Sequence, residues 1–246
     1  MLVVPYVVGL IMAGRVRPLT LGDAALGLTW LTGYFAFSAL SLWLKASAAK
    51  KVRYRVALVT YSCVAAVFGA LTLYLDGLRL LWWTPVYAPL LGGALWLVAH
   101  KKERALASGV LTILASCGLM AVLRFGTPQG VVTTFSQQTL SDLAAIVAVT
   151  GYFIGTVYHV KALIRERNDP DSATRNAIYH VALASVVTGA VVAGWLSWGW
   201  AVWSVWLFVR AVGVPRIATQ HKLTPMQIGL IEIVNSALIV LLAALA

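Results

Sequence analysis

The sequence predicts an all-α fold, a polytopic transmembrane helical bundle of about nine helices. Three observations carry this. Hydrophobic residues make up 61% of the 246-residue chain and charged residues 11%, where a soluble domain carries about a quarter charged. Apolar runs of about 20 residues recur, each long enough to cross a hydrocarbon core of about 30 Å. The alternating pattern of a membrane barrel is absent, and a backbone in lipid must satisfy its own hydrogen bonds, so the runs are helices.

The first run, 2–13, stops at Gly14-Arg15-Val16-Arg17-Pro18. No basic residues precede it, so it does not read as a cleavable signal peptide. It is short for a span, and the chain is expected to begin inside its first helix with a turn or more upstream. Runs 24–44, 56–75, 80–99 and 106–123 follow at short intervals. Run 143–163 passes into a charged stretch that ends at Arg175. Runs 177–196, 199–214 and 226–245 complete the set. All belong to one transmembrane domain, 1–246.

Charge orients the runs. Fifteen of the 19 Lys and Arg residues fall in alternate gaps: Lys45, Lys50, Lys51, Arg53 and Arg55; Lys101, Lys102 and Arg104; Lys161, Arg165, Arg167 and Arg175; Arg210, Arg216 and Lys222. Arg15, Arg17, Arg79 and Arg124 fall in the others. The positive-inside rule puts the rich gaps and the N-terminus in the cytoplasm and the C-terminus outside. Trp82, Trp83, Trp195, Trp198 and Trp200 gather on the opposite side, as an interfacial aromatic belt would. The formal charge of +11 is therefore read as membrane topology, and no nucleic-acid partner is expected.

Two runs echo one another. TGYFAFSALSLWLK begins at Thr32 and TGYFIGTVYHVKAL at Thr150, both ending at a basic gap. The echo suggests a pseudo-repeat, about 1–104 and 105–222, followed by a final helix, 224–246; such repeats in membrane proteins commonly form a site between halves. Tyr34, Ser38, Ser41 and Lys45 share one helical face. Tyr152, Thr156, His159 and Glu166 share another at α-helical spacing, with Lys161 and Arg165 opposite. Each stripe reads either as close helix packing through small and hydroxyl residues or as the wall of a cavity, where membrane-embedded ionisable groups face.

Glu232 lies about two turns inside the last run, where a carboxylate must be protonated or partnered; the sequence does not say by which basic residue. The cluster Lys50, Lys51, Arg53, Tyr54, Arg55 reads as a topology signal and lipid-head attraction, or as a clamp for phosphate or carboxylate. His159 and His180 flank one gap, but two histidines are thin grounds for haem or a metal, and neither is expected. Cys63 and Cys117 read as small buried side chains rather than a disulfide. No Walker motif, dinucleotide fingerprint, HExxH or Gly-x-Ser-x-Gly is present.

WLTGYFAFSALSLWLK, KVRYR, GYFIGTVYHVKALIRER and KLTPMQIGLIEIVNS resemble the YwiC-like family of bacterial integral membrane proteins along the whole chain. The resemblance implies a bacterial cell-membrane location. It implies a Gln-His-Gly-Ala-Trp-like stretch upstream of MLVVPYVVGL, and brings no biochemical activity to carry over. A looser architectural resemblance is to the UbiA-type prenyltransferases, which have nine helices in two halves and Asp-rich, Mg²⁺-binding ends on helices two and six. Here the second run ends without an Asp, and the sixth offers only Glu166, Asp169 and Asp171. Without carboxylates to hold Mg²⁺, that metal-dependent chemistry is not expected, and neither is any cofactor.

The expected partners are the bilayer and an anionic amphipathic lipid or isoprenoid held at the cytoplasmic side. Tyr34, Ser38, Ser41, Tyr152, Thr156 and His159 would line the pocket, and Arg53, Arg55, Arg165 and Arg167 would meet the head group. Glu232 would hold a basic partner. Two alternatives stay open: a small-solute secondary transporter with His159 and Glu232 coupling protons, and a non-catalytic membrane assembly factor.

Overall fold

The structure is a computed structural model that describes residues 2–102, 105–166, 169–220 and 224–245. Among the described residues it is helical, without strands. The helices are α1 (Val3–Gly14), α2 (Leu21–Lys45), α3 (Ala48–Asp76), α4 (Thr84–Ala99), α5 (Leu106–Phe125), a single turn α6 (Gly130–Thr133), α7 (Gln137–Val160), α8 (Pro170–Val192), α9 (Trp198–Gln220) and α10 (Pro225–Leu245). A 3₁₀ stretch, Leu78–Trp83, leads into α4, and a π-helical turn, Lys161–Arg165, extends α7. Each of the nine apolar runs corresponds to a helix. Seven described helical runs are long and apolar enough to cross a membrane; α1 is too short, and α9 carries Arg210 and Arg216. The chain is a multi-pass helical membrane protein.

By contacts the chain divides into two compact units. One is Met12–Thr133; the other is Val3–Ile11 with Thr134–Ala246.

In the first unit α2 and α3 form a hairpin across Ala46 and Ser47. Thr20 and Asp23 build a reciprocal capping box at the start of α2. Arg17 grips the Asp23 carboxylate with both arms, at 2.8 and 2.5 Å, and donates to the Leu123 carbonyl at 3.1 Å. That hydrogen-bonded carboxylate holds the Arg17 guanidinium above its ordinary pKa. Small residues let the hairpin close: Gly22 lies against the Asp76 carboxylate, and the Thr29 and Thr72 hydroxyls meet at 2.9 Å. Thr72 is the one residue of α3 classed as buried, so the rest of that helix faces outward or lies only half covered. The core of the unit comes from α5, through Ile113, Leu119, Met120 and Leu123. Gly126 ends α5 at φ 69°, a conformation that side chains disfavour, and its carbonyl accepts from the Trp83 indole at 3.1 Å.

In the second unit α7 is the central helix, burying Ala145, Val149, Tyr152, Phe153, Thr156 and His159. It packs against α8, and α8 against α9. Leu183 and Val187 of α8, Leu207 and Ala211 of α9, and Ile239 and Ala243 of α10 complete the interior.

Three expectations are corrected. Trp83 and Trp200 are packed inside rather than set at an interface; Trp82, Trp195 and Trp198 are the exposed members of that group. Cys63 is exposed on α3, where lipid rather than protein covers an apolar helix; Cys117 is buried, and both are free thiols. Glu166 does not continue the Tyr152–Thr156–His159 stripe. The π turn takes an i−5 hydrogen bond, from the Glu166 amide to the Lys161 carbonyl at 2.9 Å. The extra residue rotates Glu166 onto Lys161, whose ammonium it meets at 2.7 Å.

Candidate functional site

The second unit holds a buried polar constellation contributed by α7 to α10. Glu232 on α10 forms an ion pair with Nη1 of Arg210 on α9. The Tyr152 hydroxyl donates to the other carboxylate oxygen at 2.7 Å. Both oxygens are thus occupied, and the Arg210 guanidinium also lies 6.0 Å from the centre of the Tyr152 ring. The Arg210 side chain is 1% exposed and that of Glu232 19%. Pairing offsets the cost of burying two unlike charges.

A second layer adjoins it. His159 lies 3.4 Å from the Asn176 side-chain nitrogen, which donates to the Ala211 carbonyl at 2.9 Å. Nδ1 of His180 lies 2.9 Å from the Asn176 carbonyl. A carbonyl only accepts, so Nδ1 carries the proton and Nε2 is left as an acceptor. The two imidazoles are 6.2 Å apart, centre to centre. Gly155 makes room for His180: a Cβ there would stand 3.1 Å from its Nε2 and from the Tyr179 ring. Thr156 turns back on its own helix, donating to the Phe153 carbonyl at 2.7 Å. The described residues hold no group of three or more His, Cys, Asp or Glu able to grip a metal ion.

Of the residues singled out in the sequence, Tyr152, Thr156, His159 and Glu232 fall in this unit, and Tyr152 touches Glu232 directly. Tyr34, Ser38, Ser41, Arg53 and Arg55 belong to the other. Arg53 and Arg55 are exposed in the first turns of α3, not in a loop. Arg165 lies in the π turn, but its side chain is outside the described residues, as are Arg104, Arg167, His221 and Lys222. The sequence pattern groups Arg210 with a cytoplasmic gap; α9 continues ten residues beyond it, so it is a buried partner within a helix, not a topology signal. Asn176 and Asn235, both fully buried, were not singled out at all. An Asn inside an apolar run, at Asn235, was the available signal.

Tyr34 lines a cavity of about 170 Å³ in the first unit, with Trp30, Gly33 and Phe37 of α2, Leu91 of α4, and Thr112, Ala115 and Ser116 of α5. Its wall is almost wholly apolar. Ser41, one turn beyond Phe37, buries a hydroxyl with no partner among the described residues.

Glu166 and its partners close the loop before α8. Arg175 reaches Glu166 at 3.4 Å and Asp169 at 3.0 Å. The hydrogen bond from Lys161, then that from Ser172, holds the Glu166 carboxyl below its ordinary value of 4.5. A depressed carboxylate pKa stabilises the fold above the unfolded value and loses that effect as pH falls through the folded one. A ¹³C titration of Glu166 should therefore show a midpoint below 4.5, and Lys161→Ala should return it toward 4.5. A midpoint indifferent to Lys161 would refute the pairing.

The fold and these sites define a multi-pass helical membrane protein with an apolar side cavity in one unit and a buried ion pair in the other. The chain belongs to the YwiC-like family, whose model, described as "YwiC-like protein", matches residues 1–124. A protein of Haemophilus influenzae described as "Uncharacterized protein" is 27% identical over 184 residues, covering 74% of this chain and 70% of that one. No solved structure matches.

Proposed function

We propose that the protein binds an anionic amphipathic lipid or isoprenoid along α2, on the side that its basic residues mark as cytoplasmic. The observation that supports this most is the continuity of one stripe. Trp30, Tyr34 and Phe37 line the apolar cavity; Ser41 and Lys45 continue the same face, and Lys51, Arg53 and Arg55 begin the next helix. Eleven residues separate Tyr34 from Lys45, about 16 Å along the axis. That is about half a hydrocarbon core, so a chain whose head sits at the basic turn has its tail beside the cavity. Lys51 is already seated over the Trp43 ring at 4.3 Å, which orders the basic end.

Gly33 offers the cleanest test, because a Cβ there meets nothing within 4 Å. Gly33→Leu should fill the cavity without unfolding the helix pair. Native mass spectrometry of the full chain, offered equal amounts of a neutral phospholipid, an anionic phospholipid and a polyprenyl phosphate, should show a defined anionic adduct on the parent. The adduct should be lost in Gly33→Leu and weakened in Arg53→Ala/Arg55→Ala. Equal adducts on all three proteins, or none on the parent, would overturn the reading.

The buried Arg210–Glu232 pair favours a second reading, a small-solute transporter, since embedded ionisable groups commonly mark solute or proton routes.

A further inference from the structure

Arg210 is the most demanding side chain in the second unit. Only Nη1 is engaged, by Glu232. Nε and Nη2 are buried and have no partner among the described residues. These two atoms form the side-on edge of the guanidinium, two N–H groups pointing the same way. That edge matches the two oxygens of a carboxylate or phosphate. At 1% exposure no bulk water satisfies it. Unused acceptors lie in the same unit, Nε2 of His180 and the side-chain oxygens of Asn176 and Asn235, alongside the unpartnered indole donors of Trp200 and Trp203. Asn176 is anchored to Ala211, the residue next to Arg210. The described interior therefore contains a cationic fork without its oxyanion. Buried polar groups in folded proteins are nearly all hydrogen-bonded, so a free guanidinium edge calls for a partner.

We propose that the free edge of Arg210 is a binding site for an oxyanion, carboxylate or phosphate, inside the second unit. Glu232 and Tyr152 hold the guanidinium in place from the other side, and so act as positioning residues. His180, Asn176 and Asn235 supply acceptors for hydrogen donors elsewhere on the ligand. This site is independent of the apolar cavity along α2. Its ligand is either a free solute or the head of a lipid, and the shared chemistry is the two-oxygen group.

The test uses the full chain in neutral phosphatidylcholine nanodiscs. Tyr152 packs against Trp203 with ring centres 5.5 Å apart, so tryptophan fluorescence reports on the site. The probes are acetate, inorganic phosphate and dihexanoyl phosphatidic acid, each against chloride at equal ionic strength. A saturable change is expected with at least one of them. Response to acetate or phosphate identifies a free solute; response to the short lipid alone identifies a head group. Arg210→Lys keeps the charge facing Glu232 but lacks the fork, and should weaken binding about tenfold or more. Should that variant fail to fold, Glu232→Gln decides: it keeps a group of the same shape beside Nη1 and removes a negative charge, so binding should tighten several-fold. A response to the short lipid that Gly33→Leu abolishes belongs to the cavity along α2, which Trp30 also lines, and does not count for this site. No saturable change with any probe, equal binding by Arg210→Lys, or unchanged or weaker binding by Glu232→Gln would overturn the proposal.

Discussion

Glu232→Ala should destabilise the protein by about 3–5 kcal/mol, the usual cost of stripping one partner from a buried ion pair. The variant leaves Arg210 as an uncompensated charge with a side chain 1% exposed. It also removes the nearer acceptor of the Tyr152 hydroxyl, the Glu232 carboxylate at 2.7 Å, and leaves it the backbone carbonyl at 3.2 Å. Replacing both charges, Arg210→Met with Glu232→Leu, should recover most of the loss, because the pair's desolvation cost disappears with it. Equilibrium unfolding in mixed micelles compares the three proteins. If the double variant were no better than Glu232→Ala, the pair would not be the source of the effect. The same comparison separates stability from binding, since the double variant should fold yet bind no oxyanion.

Gly22→Leu should be the second severe change, about 1–3 kcal/mol or more from overpacking. Even a Cβ at this position would fall 1.8 Å from one Asp76 oxygen and 2.3 Å from its carboxyl carbon. Asp76 has a short side chain on the last residue of α3, so the helices must part to admit a larger group. Parting them strains the Thr29–Thr72 contact one to two turns away. Gly69→Leu makes a useful contrast, because its Cβ would find only the Thr29 methyl at 3.8 Å. The ratio of the two losses in a thermal melt tests whether Gly22 marks the closest approach. Equal losses would disprove it.

Much of the fold was legible because lipid imposes one rule on every span. Run length and apolarity located a helix for each of the nine runs, and boundaries moved by up to eight residues. The ends moved most where polar residues begin helices. Ser136 caps α7 seven residues before its apolar run, its side chain accepting from the Thr139 amide. Asp169 caps α8, with Pro170 next at a position that needs no amide. What hydropathy could not show was lateral pairing. Arg210 sits near the end of its apolar run and looks like a topology marker until α10 brings Glu232 against it. The π turn at Lys161–Arg165 was equally hidden, since a single inserted residue leaves hydropathy unchanged while rotating everything after it. In the candidate sites, Tyr152 and Glu232 were named from sequence as separate features. Their direct contact spans 80 residues, beyond the reach of local periodicity.

The exposure of α3 carries a consequence for handling the protein. At 29 residues it is about 43 Å long, well beyond an average hydrocarbon core of about 30 Å. Its first turns are basic and its middle is a nearly bare apolar rod. Such a helix must tilt, or carry its charged start up among the head groups. The solvent around it is thus part of what holds its angle. Thickness becomes a structural variable, and a short-chain detergent that suits the compact second unit is the wrong yardstick for the α2–α3 hairpin.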